Sequence, residues 1–178
     1  AMSLLLPRLL DLNSYQAQLV TLLQKQLNRQ VRLGDSRFSW VLGPEFTFKD
    51  VYVQERDSKQ ELLSASRVTF RLALLPLINK KIELREIVID RARLTLSRDE
   101  QGVLNIDDLL KPSASEYDLR AKGIRVRNGT LFWHDQATSE TCTCLTLSGI
   151  NLSLDKLTPG KKCTFKLGAT LEGSSPGT

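Results

Sequence analysis

One eight-residue pattern is written four times in this chain, and in each copy the apolar positions change parity halfway through. Phe46-Thr-Phe48-Lys-Asp50-Val51-Tyr-Val53 recurs as Ile82-Glu-Leu84-Arg-Glu86-Ile87-Val-Ile89, as Leu119-Arg-Ala121-Lys-Gly123-Ile124-Arg-Val126 and as Leu145-Thr-Leu147-Ser-Gly149-Ile150-Asn-Leu152. Successive side chains of a strand point to opposite faces, so an apolar set that changes parity needs one extra residue or a sharp bend. Each copy is therefore predicted to be two strand halves joined by a bulge or kink at the Asp/Glu/Gly position. Repeated kinked strands build a curved sheet, and a curved sheet with one apolar face is a container or a groove.

The rest of the chain supports a mainly β fold: a curved, twisted antiparallel sheet, a meander of kinked strands, with one amphipathic helix packed on it. Asn13 with Gln16 suits a helix start, and Tyr15, Leu19, Leu22, Leu23 and Leu27 fall at helical spacing, which predicts a helix from Ser14 to Asn28. Its polar face is mostly Gln and Asn, with Lys25 and Arg29 near its end, so packing on the protein is favoured over lying on a membrane. Gly34-Asp35 predicts a break within the first strand region. Ser66 to Leu74 alternates, with Val68, Phe70, Leu72 and Leu74 on one face and Arg67, Thr69 and Arg71 on the other. A turn is expected at Asp90-Arg91, a type I′ hairpin at Asn128-Gly129, and one helical turn within Ile106 to Leu110. Short turns between consecutive strands imply an antiparallel meander.

The expected division is 1–12 as the remnant of an N-terminal anchor or linker, 13–29 as helix, 30–110 as a first β-groove repeat, 111–118 as a connection, and 119–173 as a second repeat continuing further. Leu4 to Leu6 are compatible with the end of a longer membrane span and equally with an ordinary chain start.

The 178 residues and 41% apolar content suffice for a substantial core. The net charge of +5 is spread along alternating strands and comes with no recognition motif, so nucleic acid is disfavoured. Catalytic chemistry finds few footholds. His134 is the single histidine, Asp50 and Glu86 occupy the same slot in different copies, and there is no phosphate loop or calcium-loop spacing. Cys142, Cys144 and Cys163, with His134, form a conceivable zinc set, but their spacing fits no ligand pattern and they read as strand residues. No enzyme, cofactor or metal is expected. Asn128-Gly129-Thr130 fits a glycosylation acceptor but is explained by the turn alone.

A further set of residues stands in a fixed order along the chain: Leu6-Pro7, Asn13-Ser14-Tyr15, Gln30-Val31-Arg32-Leu33, Trp40, Pro44, Lys49-Asp50-Val51, Leu74-Leu75-Pro76-Leu77, Ile87 to Leu96, Arg98-Asp99, Gly102-Val-Leu-Asn105 and Asn128 to Leu131. In the order and spacing of these residues the chain resembles the N-terminal part of the AsmA family of bacterial envelope proteins. The resemblance implies a rod of antiparallel strands curled into a half-open groove, anchored in the inner membrane by an N-terminal helix and projecting into the periplasm. It also implies phospholipid or another acyl lipid as ligand, and envelope proteins as possible partners.

The function expected is non-enzymatic handling of phospholipid between membranes, with Phe46, Phe48, Val68, Phe70, Leu72, Leu84, Leu94, Leu96, Leu147 and Leu152 lining the groove. For each of these the alternative is a place in a closed core under the helix. A second expectation is a scaffold for outer-membrane protein assembly that receives a partner strand at an exposed edge.

Overall fold

The structure, a computed structural model, describes residues 12–40, 43–56, 58–73, 75, 83–110, 121–136, 143–155 and 164–172. Helix α1 spans Leu12–Leu27, starting two residues before the expected Ser14 and ending one before Asn28. Asn28 ends it with a left-handed φ of 48°, a conformation asparagine tolerates better than most residues. The strands are β1 Val31–Arg32, β2 Ser36–Ser39, β3 Glu45–Gln54, β4 Glu61–Leu72, β5 Leu84–Arg98, β6 Ala121–Asp135, β7 Thr143–Asp155 and β8 Thr164–Glu172. A short helix, α2, covers Asp107–Leu110, where one helical turn was expected.

Among the described residues these strands form one eight-stranded sheet in the order β1-β3-β4-β5-β6-β7-β8, with β2 also on β3. Every pair is antiparallel but one: β5 and β6 run parallel, from Leu84 beside Ala121 to Arg98 beside Asp135. The expected meander is thus interrupted there. Both turns predicted in this stretch are overturned, because Asp90-Arg91 and Asn128-Gly129 lie inside single fifteen-residue strands. A type I′ turn needs two consecutive residues with positive φ. Asn128 has one at 50°, whereas Gly129 does not, and a Cβ on Gly129 would stand 3.0 Å from Val126 Cγ1. One left-handed residue makes a bulge, and the strand carries on.

Such residues line up. Asp50 (φ 48°), Arg91 (φ 51°), Asn128 (φ 50°) and Gly149 (φ 61°) sit in β3, β5, β6 and β7. The pairs flanking Asp50, Lys49 with Arg67 and Val51 with Ala65, place it opposite Ser66 of β4. The next register, Ala65 with Ala92 and Arg67 with Asp90, places Ser66 opposite Arg91. The β1 to β2 break falls on the same line, where Gly34 N donates to Lys49 O at 3.0 Å and a Cβ on Gly34 would meet that oxygen at 2.9 Å. Kinks were therefore expected correctly at Asp50 and Gly149. In the second copy the register slips by one between Arg71 with Glu86 and Leu72 with Leu84, a bulge beside the expected Glu86, and a second bend follows at Arg91. In the third copy the left-handed residue is Asn128, five residues past the expected Gly123. The starts of these two copies, Ile82 and Leu119, lie outside the described residues, as do Cys142 and Cys163.

The core lies under α1. Leu19, 1% exposed, is buried with Phe46, Phe48, Val51, Val68, Phe70, Leu72, Leu84 and Ala121, and Val20 and Leu23 pack against the same cluster. Phe38 extends it, its ring centroid 5.1 Å from that of Phe46. No described helix is long and apolar enough to cross a membrane.

Candidate apolar face

Register partners share a face, so the cross-strand pairs trace apolar rows over the sheet. One row is Phe48, Val68, Ile89, Val126, Leu152 and Leu167. Beside it run Phe46, Phe70, Ile87, Ile124 and Leu154. Beyond the line of bends the parity changes and the rows resume as Val53, Leu63, Leu94, Leu131 and Leu147, then as Leu96, Trp133 and Leu145. The bends therefore keep one face apolar along strands that a straight pleat would have made apolar on both.

Along the first of these rows exposure is lowest under the helix and highest at β8. Phe48 is 0% and Val68 5% exposed, Ile89, Val126 and Leu152 are half-buried, and Leu167 on β8 is 61% exposed. Six of the ten residues expected to line a groove, Phe46, Phe48, Val68, Phe70, Leu72 and Leu84, sit in the closed core that α1 covers. The other four, Leu94, Leu96, Leu147 and Leu152, are half-buried and outside that core. Sequence reasoning passed over Ile124, Val126, Leu131 and Trp133, which join the two groups. Their signal was present in the parity of β6 but was read as a hairpin.

The face has a polar limit. After Leu96 and Trp133 the next row is Arg98 and Asp135, paired through Arg98 Nε and Asp135 Oδ1 at 3.0 Å, with the guanidinium 6.0 Å from the centre of the Trp133 ring. Hydrogen bonding to Asp135 raises the pKa of Arg98 further above its ordinary value. At the end of α1, Arg29 is fully buried and donates to both oxygens of Asp108 at 2.8 Å, to Asn105 O at 2.9 Å and to Leu27 O at 3.0 Å. Asn105 in turn donates to Glu55 Oε1 at 2.6 Å and to Thr95 O at 3.0 Å. This network fastens the segment between β5 and β6 to the helix that closes the core. The Arg29 guanidinium lowers the pKa of Asp108 through its hydrogen bonds, outweighing the desolvation that would raise it.

The residues singled out for chemistry are placed apart from this face's interior. Asp50 and Glu86 lie in different strands, with Glu86 held by Arg71 and by Arg125 at 3.1 Å. His134 and Cys144 are cross-strand partners, Nδ1 to Sγ 3.3 Å. Among the described residues no group of three or more His, Cys, Asp or Glu side chains could hold a metal ion.

The model of the AsmA family matches residues 1–161 of the chain. Among curated proteins none matches it.

Proposed function

The chain belongs to the AsmA family, and we propose that within the cell envelope it is a non-enzymatic lipid-handling protein whose apolar face shields acyl chains. The observation that carries this reading is the gradient of exposure along apolar rows, from a core closed by α1, which takes in the start of β6, to the exposed Leu167 on β8. An apolar sheet face has to be covered by something, and the core under one helix of sixteen residues reaches from β3 to β5 and the start of β6, at Ala121 and Ile124. The three strands β6 to β8 span roughly 10 Å at the usual strand spacing, against the roughly 15 Å depth of one leaflet, half of a bilayer core. An acyl chain laid along the rows there finds apolar contact over about two-thirds of its length, with its head group at the wet rim. On this reading α1 closes one end, the ligand is a phospholipid moving between membranes, and the sheet works in the periplasm tethered to the inner membrane.

Trp133 provides the test, because it stands on the apolar face between Leu96 and Leu145. In a Trp40→Phe background, phospholipid brominated on its acyl chains is expected to quench the remaining tryptophan, and native mass spectrometry is expected to show co-purified lipid. Absence of both sinks the reading.

The flank of β8 that has no partner among the described residues favours a second reading, in which a partner strand from an outer-membrane protein adds to that edge beside the exposed Leu167. Proline at Lys166 would abolish such binding and leave tryptophan quenching intact.

A further inference from the structure

The opposite face of the sheet carries an unresolved electrostatic conflict. Lys49 of β3 and Arg67 of β4 are direct cross-strand partners, and both are exposed. Like charges in that relation destabilise a sheet. Neither side chain makes an ion pair or hydrogen bond among the described residues, and the same holds for the side chain of Arg37, one row away beside Thr47. The other cations nearby are satisfied: Arg71 pairs with Glu45 and Glu86, and Arg127 lies 3.8 Å from Asp90.

These three cations line a hollow of about 930 Å³, together with Asp35 and with Asp90, the register partner of Arg67 on β5. Its floor includes Val88, 2% exposed, and Thr69, 8% exposed, whose hydroxyl lies 3.2 Å from that of Thr47. Two hydroxyls in contact share one hydrogen, so one remains to be donated elsewhere. The hollow thus combines a planar guanidinium fork and an ammonium group about one strand spacing, 5 Å, apart with a hydroxyl donor two residues, about 7 Å, along the strands.

We propose that this hollow, between Arg37, Lys49, Arg67 and the Thr47–Thr69 hydroxyl pair, binds a phosphate group. The lining holds five cations, Arg37, Lys49, Arg67, Arg71 and Arg127, against three carboxylates, Asp35, Glu45 and Asp90. That surplus of two matches a group carrying close to two negative charges, and tetrahedral oxygens can meet Lys49 and Arg67 while accepting from the threonine below. The bound anion removes the repulsion that the empty register retains. The site is on the polar face, with Thr47 between Phe46 and Phe48 in the alternation of β3, so it is separate from the apolar rows and independent of what they carry.

The phosphate could be free or part of a phosphodiester head group, and an amide-resolved NMR titration separates the two. Inorganic phosphate and glycerophosphoglycerol are each compared with sodium chloride at matched ionic strength. Saturable shifts are expected at Thr47, Thr69 and Val88, weakened at least tenfold in Lys49→Ala and Arg67→Ala. Lys49→Ala is expected to melt no lower than the parent in chloride, since it relieves the like-charge pair, whereas Arg67→Ala also removes the cross-strand partner of Asp90 and is compared at a temperature where circular dichroism shows it folded. Saturation by inorganic phosphate alone assigns a free phosphate, and saturation by the diester assigns a head group. Shifts equal to those in chloride, or affinity unchanged in both variants, overturn the proposal.

Discussion

Arg91 and Asn128 stand side by side in the parallel register of β5 and β6, fixed by Asp90 beside Arg127 and Arg93 beside Thr130, and both have φ near 50°. Two neighbouring strands thus bend at the same height without losing their pairing. Left-handed backbone costs a residue with a Cβ about 1–2 kcal/mol, least for asparagine. Asn128→Val is expected to lower stability by about 1–2 kcal/mol, whereas Asn128→Gly stays within about 0.5 kcal/mol of the parent. Urea unfolding of the two variants checks this, and equal losses would show that the bend does not depend on that residue's backbone.

The exposure gradient separates core from open face by mutation. Phe48→Ala removes a fully buried ring and is expected to cost about 3–5 kcal/mol. Leu152→Glu, on a half-buried position outside the core, is expected to leave the chain folded by circular dichroism while abolishing quenching of Trp133 by brominated lipid. Quenching that survives Leu152→Glu would place the lipid elsewhere.

Arg29 and Asp108 give a third expectation. Asp108→Ala leaves a fully buried guanidinium without its carboxylate. The expected loss is about 2–3 kcal/mol, below the about 3–5 kcal/mol of a wholly buried pair because Asp108 keeps contact with solvent. Chemical denaturation measures the loss, and a change under 0.5 kcal/mol would show that the network around Asn105 holds Arg29 by itself.

Acid should act through the same pair. Asp108 has a pKa below that of the unfolded chain, so its contribution is complete above the ordinary carboxylate range and disappears as pH falls through the folded value. Stability measured from about pH 6 down to about pH 2 is expected to fall more steeply in the parent than in Asp108→Asn. Parallel curves would assign the acid sensitivity to other carboxylates.

Much of the sheet was legible because parity is a local property. The kinks at Asp50 and Gly149, the break at Gly34-Asp35 and the faces of β4 all follow from which positions are apolar. Asn128-Gly129 misled because a left-handed asparagine serves a hairpin turn and a bulge equally well, and only the strand beyond decides between them. The parallel β5 to β6 pair was hidden for the same reason. The Arg29 to Asp108 pair joins positions 79 apart, and no local pattern announces it. As for the candidate face, a closed core and an open groove require the same apolar row, so the alternation could name Phe48 and Leu152 together but could not say which one the helix covers.

The parallel pair has a consequence for how such a sheet can be lengthened. From the pairings, β3, β5, β6 and β8 run one way and β4 and β7 the other, so three strands, a crossing segment and three more strands repeat with the same polarity. An odd number of strands followed by a crossover returns the chain to its starting rim. Further copies can then be appended by simple translation, each with its connections at the same height and its polar stop on the same side. A strictly alternating hairpin series would need an even count to achieve this, and an odd-stranded copy would invert its successor.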